Sequence, residues 1–159
     1  MPDKIAVRIH GRGGQGVVTA AELMAMAAWE EGLYAQAFPT FGSERMGAPV
    51  AGFVRLSHQP VHMPYQVYEP RYVIVQDSTL VGAVDLTSGL EADGLVLVNT
   101  EGDSPALALS SGVQLVTVPA TRIALEELGQ NRPNTALLGA FAALTGLFGL
   151  AAIEKAVSR

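Results

Sequence analysis

Ile5-Ala6-Val7-Arg8-Ile9, then Gly11-Arg12-Gly13-Gly14-Gln15-Gly16, then the run from Val17 to Glu31 together decide the fold. The first piece is a short apolar strand. The last has Ala20, Ala21, Leu23, Met24, Ala27 and Ala28 at three-to-four spacing, the pattern of one helix face. Gly32 stands where a helix closes on a left-handed residue. Between strand and helix, Gly11, Gly13 and Gly16 match G-x-G-x-x-G. Glycine permits positive φ and lets backbone N–H groups approach an anion, and a helix N-terminus adds partial positive charge. Arg12 adds a full one.

Working outward, Leu33 to Phe38 reads as a second strand, ended by Pro39. A second glycine-rich segment follows: Phe38-Pro39-Thr40-Phe41-Gly42-Ser43-Glu44-Arg45-Met46-Gly47-Ala48-Pro49-Val50. Strands are then expected at 50–56, 72–76, 94–98 and 113–118, and helices near 119–128, 134–145 and 150–158. Continuous apolar runs such as Tyr72-Val73-Ile74-Val75 belong inside a parallel sheet. The expected fold is therefore α/β: one doubly wound, mostly parallel, Rossmann-like sheet with helices on both faces, formed by a single domain over 1–159. Residues 50–63 are the place for an antiparallel departure.

Composition narrows the function. Apolar residues make up 49% and charged residues 16%, which fits doubly buried strands and a partner interface. Net charge is −5, and the acidity lies in the second half: six basic and six acidic residues up to Tyr72, four and nine after it. A nucleic-acid reader needs a basic stripe, so none is expected as a partner. With zero cysteines the chain has no thiolate for an iron–sulfur cluster and no disulfide. Residues 134–153 carry no charge, but Gly146-Leu147-Phe148-Gly149 divides them into two buried helices rather than a membrane span. The N-terminus enters a strand almost at once, so no signal peptide and a cytoplasmic location are expected.

The glycine loop admits three readings: a dinucleotide site, an anion contact, or a tight turn packed at an interface. A dinucleotide site wants an acid at the end of strand two. Here that strand reads Leu33-Tyr34-Ala35-Gln36-Ala37-Phe38, and Glu30 and Glu31 stand before it, at the wrong end. No Lys-Ser/Thr follows the loop, so it is not a Walker A. In the second segment Pro39, Gly42, Gly47 and Pro49 shape a loop at the C-terminal edge of the sheet, where open α/β sheets place ligands. Ser43, Glu44 and Arg45 give it polar groups between Phe38 and Phe41. His58 and His62 have metal-like spacing, but Pro60 breaks any helix between them and no metal site is assigned. Asp77, at a strand end, is a cap or a polar site residue, and Asn134 is expected to cap the helix it opens.

Phe-Pro-x-Phe-Gly-x-Glu-Arg-x-Gly-Ala-Pro-Val, with Gly-x-Gly-Gly-Gln-Gly upstream and Asn134-Thr135-Ala136-Leu137-Leu138-Gly139 downstream, resembles the γ component of the 2-oxoacid:acceptor oxidoreductases, pyruvate:ferredoxin oxidoreductase among them. The resemblance covers essentially the whole chain. Ala48-Pro49-Val50 leans towards the pyruvate type. Met46 stands where many members have arginine, and the sequence stops at Arg159, soon after the last helix, where many continue.

The resemblance implies a hetero-oligomer with α, β and δ subunits, or fused equivalents, that oxidatively decarboxylates a 2-oxoacid, passes electrons to ferredoxin and forms an acyl-coenzyme A. Thiamine diphosphate with Mg would be held by α and β and the iron–sulfur clusters by δ and β, so this chain alone would bind no cofactor and hold no catalytic residue. Gly11, Arg12, Gly13, Gly14, Gln15, Gly16, Phe41, Gly42, Ser43, Glu44, Arg45 and Gly47 become candidates for a subunit interface and for the coenzyme A or substrate entrance. In that reading Arg45 meets a coenzyme phosphate or a partner carboxylate, and Glu44 orients it or bridges to the partner. The rival readings are a free-standing dinucleotide-binding oxidoreductase and a purely structural scaffold.

Overall fold

A computed structural model describes residues 4–39, 45–60, 62 and 67–159. Six strands form one sheet: β1 (Lys4–Arg12), β2 (Tyr34–Pro39), β3 (Pro49–Ser57), β4 (Tyr72–Val75), β5 (Leu95–Asn99) and β6 (Gln114–Val118). Their order is β2-β3-β1-β4-β5-β6. β1, β4, β5 and β6 run parallel. β3 is antiparallel to both of its neighbours, which realises the departure expected after Val50. The α-helices are α1 (Val17–Glu30), α2 (Ala120–Leu128), α3 (Asn134–Thr145) and α4 (Leu150–Val157).

The sheet is mostly parallel, but the helices do not cover both faces. Strand side chains alternate, so Ile5, Val7, Ile9, Ile74, Leu95 and Leu97 face one side. Residues of all four α-helices pack there, among them Met24, Ala120, Phe141 and Ile153. Tyr72 meets Phe141 edge-on, ring centres 5.3 Å apart, which seats α3 on β4. The opposite face, built on Val73, Val75, Val96 and Val98, is covered by the 3-10 turn Ser78–Leu80 and by loop residues including Leu86, Leu107 and Leu109. The path still winds both ways. From β1 it moves to β2 and β3 across the helical face, and from β4 to β5 and β6 it crosses on the other. Those two crossings are loops because the segments after β4 and β5 are rich in Gly, Ser, Asp and Pro.

Gly146 closes α3 at φ 67°, so the uncharged stretch 134–153 is two helices, and among the described residues no helix is long and apolar enough to cross a membrane. Buried Arg8 and His10 project from β1 on the loop-covered side. Arg8 donates to the carbonyls of Leu86 at 3.1 Å and Ser88 at 2.9 Å, pinning that loop to the sheet.

Candidate functional site

The parallel strands end at one edge, where β2 also ends and β3 begins; Arg12 pairs with Pro49 and Pro39 with Gly52. The chain turns to opposite sides of β1 at this point, which makes the edge a topological switch point. It brings the two glycine-rich segments together. Gly13 N donates to Ala48 O at 2.8 Å, and Gly47 N donates to Gly13 O at 3.0 Å. Arg12 Nη1 donates to Gly47 O at 3.0 Å. Phe41, Gly42, Ser43 and Glu44 lie outside the described residues. Arg45 is exposed, as is Met46, whose Sδ would meet a Cβ on Gly14 at 2.2 Å.

The first motif is less of a loop than its glycines imply. Gly11 and Arg12 belong to β1, paired with Val50 and Pro49. The turn proper runs from Gly13 to Gly16, and its groups bond largely within the protein: Gln15 N donates to Arg12 O at 3.0 Å, and Arg12 N donates to Gln15 Oε1 at 2.7 Å. Gly16 enters α1 at φ 75°, and among the described residues no side chain caps that helix.

Asp77 collects the polar contacts next to this turn. Its Oδ2 accepts from Gln15 Nε2 at 2.7 Å and lies 3.5 Å from Arg12 Nε; its Oδ1 accepts from Thr79 N at 2.9 Å and Thr79 Oγ1 at 2.6 Å. Partial burial alone would raise the carboxyl pKa. The hydrogen bonds from Thr79 and Gln15 and the Arg12 charge prevail and hold it below its ordinary value.

A second network binds the helix starts to the strand ends. Asn134 was expected to cap α3; instead Pro133 is the cap residue, and the Asn134 side chain reaches across the site. Its Nδ2 donates to Gly16 O at 3.2 Å, and its Oδ1 accepts from Gln76 Nε2 at 3.1 Å. Asn99 donates to Gln76 O at 3.0 Å and accepts from Thr121 N at 3.1 Å, which supplies α2 with the acceptor its own cap residue, Pro119, lacks. Gln76, Asn99, Thr121 and Thr79 went unmarked in the sequence. Their signal was the polar pair that ends each buried apolar run, Gln76-Asp77 and Asn99-Thr100. Between these groups lies a cleft of about 820 Å³ lined by Gly14, Gln15, Asp77, Asn99, Thr121 and Arg122. Its walls are the starts of α1, α2 and α3.

Position accounts for several other residues that the sequence singled out. Glu31 Oε1 accepts from Gly149 N at 3.0 Å, and Glu30 pairs with Lys155 and Arg159, all remote from the switch point. β3 separates β2 from β1, so even an acid at the end of β2 would sit one strand away from the glycine turn. His58 and His62 are exposed, and among the described residues no group of three or more His, Cys, Asp or Glu could hold a metal.

Fold and site thus define an α/β component with a glycine turn at its switch point, beside which the Asp77 carboxylate is engaged by Gln15, Thr79 and Arg12. The chain belongs to the pyruvate ferredoxin/flavodoxin oxidoreductase family, which it matches over residues 6–159. Within that family it is a γ-type subunit of a 2-oxoacid ferredoxin oxidoreductase, and so part of an enzyme. It is 52% identical over 153 residues to pyruvate synthase subunit PorC of Methanothermobacter marburgensis, covering 96% of this chain and 84% of that one. It is 50% identical over 156 residues to the common γ subunit of the pyruvate and ketoisovalerate oxidoreductases of Pyrococcus furiosus, with 96% and 84% covered. The crystal structure of pyruvate oxidoreductase subunit PORC from Thermotoga maritima superposes with a TM-score of 0.83 at 38% identity, covering 99% of this chain and 85% of that one.

Proposed function

We propose that this chain, acting as one γ-type domain, shapes the entrance by which coenzyme A and a 2-oxoacid reach a thiamine diphosphate site held by partner subunits, and that the 2-oxoacid is pyruvate. The observation that carries this is the clasp between Gly13 and the Arg45–Ala48 segment. It puts Arg12, exposed Arg45 and the start of α1 on one sheet edge. An entrance for a polyanionic coenzyme needs such a positive, backbone-rich edge.

Arg45 meets a coenzyme phosphate or a partner carboxylate, and Glu44 orients it or bridges to the partner. The α, β and δ subunits carry the thiamine diphosphate with its Mg and the iron–sulfur clusters that pass electrons to ferredoxin. With zero cysteines this chain has no thiolate to offer an iron–sulfur cluster. The complex works in the cytoplasm, with no nucleic acid or membrane as partner.

A second substrate reading has its own support. The Pyrococcus furiosus relative is a γ subunit common to a pyruvate and a ketoisovalerate oxidoreductase. A shared γ subunit would serve either acid without selecting between them.

Purifying the chain with its native partners tests both levels. Stoichiometric partners holding thiamine diphosphate and iron–sulfur clusters, with turnover of pyruvate above branched 2-oxoacids, are the expected outcome. Arg45→Ala should raise the KM for coenzyme A. An unchanged KM with intact assembly would sink the entrance role.

A further inference from the structure

We infer that Asp77 is a positioning residue for the coenzyme approach, holding Arg12 in place and through it the Gly47 end of the second glycine segment. This rests on the entrance reading above. Asp77 follows β4, directly beside β1 in the sheet. Capping the 3-10 turn Ser78–Leu80 accounts for its Oδ1, which takes both donors of Thr79. It leaves Oδ2 unexplained. That oxygen accepts from Gln15 at 2.7 Å and faces Arg12 Nε at 3.5 Å.

Arg12 is then held at every nitrogen. Its Nε and Nη2 donate to Thr79 Oγ1 at 3.2 and 3.1 Å, and its Nη1 donates to Gly47 O at 3.0 Å. A partly exposed arginine with only the Thr79 hydroxyl and one carbonyl to hold it would spend time extended into water, because side-chain entropy opposes a single bound geometry. The carboxylate anchors Thr79 and attracts the guanidinium, so two weak contacts become one fixed strut. The strut spans from the end of β4, over the glycine turn, to the segment that bears Arg45. Arg12 is therefore a brace whose paired guanidinium adds to the field of the edge without itself meeting a phosphate.

Asp77→Asn separates this role from capping. An amide has one acceptor oxygen and one donor nitrogen where the carboxylate has two acceptor oxygens, so it can accept from Thr79 or from Gln15 in this geometry but not from both. In the assembled oxidoreductase, Asp77→Asn should raise the KM for coenzyme A by roughly three- to tenfold with kcat little changed. The same change in an Arg12→Ala background should add nothing, since the brace is already gone. Thr79→Val, which removes the shared hydroxyl and keeps the shape, should raise the KM in the same direction and covers the case in which Asp77→Asn fails to assemble.

An Asp77→Asn complex that melts earlier but keeps its coenzyme KM overturns the inference, as does a KM rise that adds fully to that of Arg12→Ala. If Arg45→Ala raises the KM while Asp77→Asn and Thr79→Val do not, the entrance reading stands and the brace falls. If none of the three moves it, both fall.

Discussion

A Cβ on Gly13 would lie 1.9 Å from the carbonyl oxygen of Arg45. No side-chain rotation relieves that contact, because the position of a Cβ is fixed by its own backbone and the group it meets is a backbone carbonyl. The close approach is what allows the paired bonds between Gly13 and the 47–48 backbone. Gly13→Ala should therefore push the second segment off the turn. The expected cost is about 1–3 kcal/mol of stability, with faster amide exchange at Gly47. Gly139, inside α3 with open space where its Cβ would go, is the contrast: Gly139→Ala should stabilise by up to about 1 kcal/mol. Urea denaturation of the two variants with matched amide exchange decides it. Equal effects would mean that the two segments can part at Gly13 without cost and that their close approach does not require glycine there.

Asn134 should matter more than a helix cap does. Gln76 is buried, and its Oε1 has no hydrogen-bond partner among the described residues. Asn134→Ala would leave its Nε2 unpaired as well and remove the side-chain donor that Gly16 O has among the described residues. The expected loss is about 1–3 kcal/mol by chemical denaturation. Asn134→Asp should be no better, because an ionised Asp accepts from Gln76 but cannot donate to Gly16 O. A loss below about 0.5 kcal/mol would return Asn134 to the role of an ordinary first-turn residue.

The strands and helices were legible because their periods were clean. Tyr72-Val73-Ile74-Val75 and Leu95-Val96-Leu97-Val98 could only be doubly buried strands, and the glycines marked the turns between elements. What stayed hidden depended on partners distant in sequence. β1 continues through Gly11 and Arg12 because Val50 and Pro49 pair with them, and no local pattern announces that. Asn134 had the right residue type for a cap and used its side chain elsewhere, because Gly16 and Gln76 came within reach. The alternation expected of a doubly wound sheet led to helices on both faces, although the loops after β4 and β5 had no helical period to supply them. The meeting of the two glycine segments was implied by their shared edge; the Asp77–Arg12 brace was not.

Glu31 is assigned a plain structural task that can be checked directly. Its carboxylate accepts from Gly149 N at the start of α4, a helix with no cap side chain of its own. Glu31→Ala should cost about 0.5–1 kcal/mol and loosen the first turn of α4 in amide exchange, while Glu31→Gln should recover part of it. Since Glu31 lies away from the switch point, coenzyme and 2-oxoacid kinetics of the complex should not change. A kinetic effect would reopen the idea that this acid belongs to a ligand site.

His10 should make the fold acid-sensitive within a defined window. Its Nε2 accepts from Arg8 Nε at 2.9 Å, so the ring is neutral in the folded protein with its proton on Nδ1. Burial first, and then the Arg8 charge, push its pKa from 6.5 down to about 4, with Asp85 pulling the other way. Above pH 6.5 the ring is neutral both folded and unfolded, and its contribution to stability is complete. Between 6.5 and about 4 the unfolded chain takes up a proton that the folded one refuses, so stability falls as pH falls; below about 4 both forms are protonated and the loss stops. That window corresponds to about 3 kcal/mol. His10→Gln places an amide oxygen near the Nε2 position and cannot be protonated in this range. Other carboxylates titrate over the same range in both proteins, so the quantity to read is the difference between wild type and variant. Denaturation midpoints taken from pH 7 to pH 4 should show the wild type losing about 3 kcal/mol more than the variant. Parallel curves would mean that His10 keeps a near-normal pKa and that the loop pinned by Arg8 opens to admit water well before the fold is lost.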